Sequence, residues 1–192
     1  HVLPLRNFNW SLTRPHLYNG SEQIHSERAD MKLDIGKTLP DSSFLRMGGN
    51  GPETVSLKAL TAGKTVILFA LPGAYTKTCT AAHMPSFVRT ADKLREKGVD
   101  TIACISVNDP AVMQAWGADM GAHDAGILML SDADGSYTRA VEMDYDAPAG
   151  GMYGRSKRYS LLGREGVIEQ FNFDEERGVC NLSAGETMLD QL

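Results

Sequence analysis

Three cysteines in 192 residues, none in a Cys-x-x-Cys pair, are too few and too scattered for a disulfide framework or a zinc site. Such thiols suit a reducing compartment, so the expected localisation is cytoplasmic. No apolar run is long. The best, Val66 to Leu71, falls far short of the roughly 18–20 residues a membrane span needs. There is no basic excess: the formal net charge of −5 argues against nucleic acid as the main partner. Internal repeats and low-complexity segments are also missing. What remains is a 42% hydrophobic, 22% charged chain, long enough for one domain with its own core.

The first thirty residues stand apart. They hold His1, His16 and His25, three of the five histidines, and residues 1–20 carry Arg6 and Arg14 with no acid. Weak patterning reads as an N-terminal extension over residues 1–30, a loosely docked arm or a processed leader. Acid-poor, Arg-bearing leaders direct proteins to organelles, so a mitochondrial or other organellar location is the alternative. The folded domain is expected over residues 31–192.

The hydrophobic pattern alternates between strands and helices. Thr65–Leu71 and Thr101–Ser106 read as strands buried on both faces. A helix is expected from Cys79 to about Lys97, with Met84, Phe87, Val88, Ala91 and Leu94 on one stripe and Gly98 as its stop. Pro85 lacks an N–H and crowds the Ala81 carbonyl, which predicts a kink just past the cysteine. Asp109-Pro110 reads as an N-cap and first helical residue. A short strand at Ile127–Leu130, a turn at Asp132–Gly135, a short helix near Tyr137–Val141 and an Arg158–Leu162/Val167–Phe173 hairpin follow, with a last helix after Ser183. This is an α/β fold with a central mixed β-sheet flanked by helices, compatible with a thioredoxin-like topology.

One segment carries chemistry. Leu71-Pro-Gly-Ala-Tyr-Thr-Lys-Thr-Cys79 runs from a buried strand through a Pro-Gly turn to a cysteine where a helix should begin. A helix N-terminus offers unpaired N–H groups and partial positive charge, conditions that favour a thiolate. The same cysteine could instead be a small buried hydrophobe. Thr76 either caps the helix or turns its hydroxyl to the sulfur or a substrate. Pro72 shields the sulfur or is a loop proline; Gly73 completes the turn. His83, four residues on, is read as a packing or hydrogen-bonding residue, a Cys–His pair being the alternative. Cys104, mid-strand, reads as a buried structural thiol, and His123 as a loop residue.

Pro72-x-x-x-Thr76-x-x-Cys79 and the wider string to Phe87 resemble the peroxiredoxins, and within them the type II, or atypical two-cysteine, peroxiredoxin-5-like group. Ile105-Ser-Val-Asn-Asp-Pro110 and Gly154-Arg-Ser-Lys-Arg-Tyr-Ser160 resemble the same group, and the likeness covers residues 31–192. The resemblance implies a thioredoxin fold and reduction of hydrogen peroxide and alkyl hydroperoxides by Cys79, which passes through a sulfenic acid. It names Arg158 as the arginine beside that sulfur, although by residue type alone Arg158 is one more charge beside Arg155 and Lys157. It also offers Cys180, in the charged stretch Asp174–Cys180, as a resolving cysteine; with Cys180 idle, a small thiol or glutaredoxin would attack directly. Glutathione with glutaredoxin, or thioredoxin, is the implied reductant and a homodimer the implied assembly. No cofactor or metal is called for. The Gly-Gly-Leu-Gly and Tyr-Phe strings of overoxidation-sensitive relatives are absent, so resistance to sulfinic acid formation is expected. A non-catalytic redox sensor and a disulfide oxidoreductase remain competing readings, the latter weakened by Thr76 standing where Cys-x-x-Cys chemistry needs its second thiol.

Overall fold

In the computed structural model, which describes residues 32–192, a hairpin of β1 (Ser43–Gly48) and β2 (Gly51–Ser56) opens the domain, and α1 (Leu57–Thr61) follows, capped by the Ser56 side chain. The N-terminal extension expected over residues 1–30 lies outside the described residues. The chain continues through β3 (Thr65–Ala70), a wide π-type turn (Cys79–His83), α2 (Met84–Glu96), β4 (Thr101–Ser106), α3 (Pro110–Asp119), β5 (Ile127–Ser131) and α4 (Ser136–Ala140). A two-stranded ribbon, β6 (Asp144–Ala147) and β7 (Met152–Ser156), precedes β8 (Tyr159–Arg164), β9 (Val167–Phe173) and α5 (Gly185–Asp190).

The sheet runs β2-β1-β5-β4-β3-β8-β9. Its centre is parallel, β5 beside β4 beside β3, and its flanks are antiparallel. Both faces are covered, which is why β3 is buried at every position and apolar from Val66 to Ala70. Ile67 and Phe69 join Phe87, Leu94 and Trp116 on the α2–α3 face; Val66 and Leu68 join Phe44, Tyr137 and Tyr159 on the other. The expected strands and helices recur within a few residues of their expected ends. Asp109 caps α3, its carboxylate accepting from the Ala111 and Val112 N–H groups at 2.9 and 3.0 Å.

Three features differ from the sequence reading. The β1–β2 hairpin, α1 and the β6–β7 ribbon carry no strong apolar period and were not expected; their burial is partial and their strands are ladder-held rather than core-held. The kink expected just past the cysteine takes the form of the π-type turn at Cys79–His83, ahead of Pro85. The Met84 N–H bonds back to the Cys79 carbonyl, a five-residue span. Pro85 cannot donate to Ala81, so a widened turn ahead of it accommodates the ring where a regular one would clash.

Candidate active site

The loop between β3 and the cysteine turn is stitched from within. Thr76 donates its hydroxyl to the Gly73 carbonyl at 2.9 Å, and its N–H reaches the same oxygen at 3.4 Å. The Ala74 N–H donates to Asn108 Oδ1 at 3.0 Å, and Ser106 Oγ donates to the same oxygen at 2.8 Å. Tyr75 sits in the left-handed region at φ 61°, strained for a non-glycine residue, and its hydroxyl is anchored on Asp119 at 2.7 Å. Gly73 has a steric reason to be glycine: a Cβ there would lie 2.9 Å from Arg155 Nη1, which donates to the Val107 carbonyl.

Thr76 heads the turn through its backbone, its carbonyl accepting from the Thr80 N–H at 3.0 Å, but its side chain bonds Gly73 instead of capping. With its one proton engaged by Gly73, the hydroxyl keeps only acceptor capacity for anything entering the loop.

Cys79 stands in the first turn after this loop, fully buried. Arg158, immediately before β8 and itself 6% exposed, donates from Nη2 to Cys79 Sγ at 3.3 Å. Among the described residues no carboxylate forms an ion pair with Arg158, which leaves its guanidinium to the sulfur. Above them opens a cavity of about 250 Å³ whose walls include Pro72, Tyr145, Arg158, Phe173 and Gly178. Cys79 itself does not line this cavity; Arg158 does, and its contact with the sulfur is the link between the two.

His83 is fully buried on the same turn. Its Nε2 bonds the Ser183 carbonyl at 3.0 Å; a carbonyl only accepts, so Nε2 carries the proton. Burial first, then the Arg158 cation, push its pKa down to about 3, against a smaller upward pull from the Ser183 bond. The ring packs edge-on to Phe69 at 5.2 Å.

Cys180 was expected in an exposed stretch. Residues 175–178 are exposed, but Cys180 is half-buried. Asp174 explains this: its carboxylate accepts from the Asn181, Leu182 and Ser183 N–H groups and from the Ser183 hydroxyl, cinching the chain just past the cysteine. Burial raises the Cys180 pKa, the Arg158 cation partly offsetting it, and Cys79 is among the groups that act on it electrostatically. Cys104 faces the same core as Cys79, and burial raises its pKa strongly, the behaviour of an inert interior thiol.

The structure thus brings Pro72, Gly73, Thr76, Cys79, His83 and Arg158 together, with Cys180 alongside. Sequence reading missed Asn108, Arg155, Tyr145 and Asp174. Asn108 and Arg155 lie inside strings already singled out, so a signal existed; Asp174 and Tyr145 gave none.

The redoxin family matches residues 34–189 of this chain. The chain belongs to the peroxiredoxins. It is 45% identical to peroxiredoxin-2E, chloroplastic, of Arabidopsis thaliana, over 83% of this chain and 69% of that protein. Against peroxiredoxin-2F, mitochondrial, of Oryza sativa subsp. japonica, identity is 40% over 73% and 70%. Among solved structures, the reduced Prx3 of Vibrio vulnificus in complex with hydrogen peroxide aligns with a TM-score of 0.78 at 40% identity, covering 83% of this chain and 98% of that one. The likeness places this peroxiredoxin in the type II group, with a thioredoxin-like fold, and makes it a thiol-dependent peroxidase acting on peroxides with thiol reductants.

Proposed function

We propose that Cys79 is the peroxidatic nucleophile of this peroxidase and that Arg158 and Thr76 complete its catalytic set. The observation that carries the reading is the 3.3 Å contact from Arg158 Nη2 to Cys79 Sγ, with Arg158 in no ion pair among the described residues although Asp174, Glu175 and Glu176 line the same cavity. The thiolate attacks one oxygen of the hydroperoxide, an S–O bond forms, and the O–O bond breaks. Its electron pair leaves on the other oxygen, which takes a proton to become water or an alcohol. Charge thus moves from sulfur to oxygen, and a permanently charged guanidinium lying along that path stabilises both ends. The acceptor face of Thr76 suits the O–H of the incoming peroxide. Pro72 and Gly73 shape the entrance. Cys79 emerges as the sulfenic acid.

Cys180 then attacks that sulfur, releasing water and forming a Cys79–Cys180 disulfide. Support comes from its position on a segment tied to the cysteine turn. External thiols, from glutathione with glutaredoxin or from thioredoxin, reduce the disulfide. Exposed Tyr75, Tyr153 and Leu182 lie on the segments that carry Thr76, Arg155 and Cys180, and support a homodimer closing over this face. The domain is assigned to residues 31–192. The chloroplastic and mitochondrial names of the relatives favour an organelle over the cytoplasm, and a reducing organelle matrix accounts for the free thiols equally well.

The test is peroxide consumption with added thiol reductant. Cys79→Ser abolishes turnover; retained activity in that variant overturns the assignment. Insulin-disulfide reduction by the wild type would favour an oxidoreductase instead.

A further inference from the structure

Among the described residues, three buried side-chain polar atoms lack a hydrogen-bond partner: His83 Nδ1, Arg158 Nη1 and Ser160 Oγ. An unpaired buried polar group is costly, so one such atom is ordinary and three around one site need a reason. They share a face of the sheet. Ser160 is opposite Phe69 in the β3–β8 register, and Phe69 carries the His83 ring on its edge. Arg158, two residues before Ser160, points to the same side, where its other nitrogen meets Cys79. Leu162, two residues after Ser160, belongs to the same core face as Phe69 and Cys79.

Their chemistry is complementary. Arg158 Nη1 only donates. His83 Nδ1 only accepts, because Nε2 holds the proton for Ser183. Ser160 Oγ does either. None bonds another directly, so the molecule that satisfies all three must both donate and accept. A water accepts from Nη1, donates to Nδ1 and exchanges a bond with Ser160, which is the three-bond coordination of buried waters.

We propose that Arg158, His83 and Ser160 share one internal water, and that through it His83 acts as a positioning residue holding the Arg158 guanidinium against Cys79. The fork of Arg158 is then fixed at both nitrogens, one on sulfur and one on water. The depressed pKa of His83 agrees with this: a protonated ring would turn a donor toward a donor beside a cation. The inference rests on the reading of Cys79 and Arg158 as the reacting pair.

The experiment is the pH dependence of the second-order rate of Cys79 oxidation by hydrogen peroxide. The ionisable groups around Cys79 are Arg158 beside β8, which bonds its sulfur, His83 on its own turn, which faces Arg158, and Cys104 from β4, Tyr145 from β6 and Cys180 from the C-terminal segment, each of which feels the Cys79 charge. Ser160→Ala and His83→Gln each move the acid limb of the profile up by about half to one pH unit, a roughly three- to tenfold loss at pH values below that limb. Glutamine keeps a donor for Ser183 but loses the Nδ1 acceptor. His83→Asn, whose amide oxygen takes the Nδ1 position, moves the profile back toward wild type. A high-resolution crystal structure shows the water bonded to all three atoms, and nitrogen NMR shows a neutral Nε2–H imidazole.

Should His83→Gln fail to fold, Ser160→Ala and the NMR decide. Unchanged profiles in both variants alongside a large loss in Arg158→Ala overturn the water link and leave the reacting pair standing. An unchanged Arg158→Ala overturns the pair itself. A ring protonated at Nδ1, or no water density, overturns the inference alone.

Discussion

Thr78 donates its hydroxyl to the Gly178 carbonyl at 3.0 Å, joining the residue before Cys79 to a residue two before Cys180. The tie is repeated downstream by His83 to Ser183, by the Gly185 N–H to Ser86 Oγ at 2.9 Å, and by the Arg89–Glu186 ion pair at 2.8 Å. The helix that carries one thiol and the segment that carries the other are therefore sewn together along their length. Peroxide treatment followed by non-reducing mass spectrometry is expected to give a Cys79–Cys180 crosslink, lost in Cys180→Ser. A glutathione adduct on Cys79 in the wild type, with no crosslink, would refute intramolecular resolution.

The resolving step has its own pH dependence. Only a thiolate attacks sulfur, and burial raises the Cys180 pKa above its ordinary value of 9.0. Between pH 7 and 9 the crosslinking rate after a peroxide pulse should rise about tenfold per pH unit. A flat profile would mean that Cys180 moves to a different environment before it reacts.

Arg158 is expected to carry a large share of the peroxide step. Removing one fixed charge-stabilising donor costs about 10²–10³ in rate, and stopped-flow oxidation of Arg158→Ala should show a loss of that size. Arg158→Lys keeps a charge but not the planar fork, so it should recover only part of the loss. Recovery to the wild-type rate would show that geometry is unimportant.

Thr76 separates in the same way. Thr76→Ser retains the hydroxyl that bonds Gly73 and faces the loop; Thr76→Val loses both, leaving the Gly73 carbonyl with only the weak N–H bond. A fall of about 10²-fold in the peroxide rate for valine is expected, the scale of one positioned proton-transfer partner. Equal rates for serine and valine would exclude the hydroxyl.

His83 makes stability depend on pH. Its folded pKa of about 3 lies below the ordinary 6.5, so between these values the unfolded chain binds a proton that the folded one refuses. Stability therefore rises with pH through that window, and is lost as pH falls from 6.5 toward 3. At pH 4.5 the contribution is about 2–3 kcal/mol. Urea unfolding at pH 7 and 4.5 should show that difference in the wild type and a smaller one in His83→Gln. A parallel pair of shifts would place the acid sensitivity elsewhere.

Much of the fold was legible because the central strands are buried on both faces and so carry nearly continuous apolar runs, while α2 and α3 announce themselves by stripe, cap and proline. The β1–β2 hairpin and β6–β7 ribbon left weaker marks, since edge strands held by backbone ladders leave side-chain choice nearly free. At the site, Pro72, Thr76 and Cys79 were visible together because one turn holds them.

Cys79, the turn that presents it and the strands that bury it are local facts, set by propensity, capping groups and hydrophobic period, and these the amino-acid order determined by itself. That Arg158 reaches the sulfur, that Asp174 cinches the Cys180 segment and that His83 stays neutral were decided only by the tertiary structure. Each depends on chain segments far apart in sequence meeting in a buried place, where the loss of water makes every charge and every unpaired hydrogen bond count.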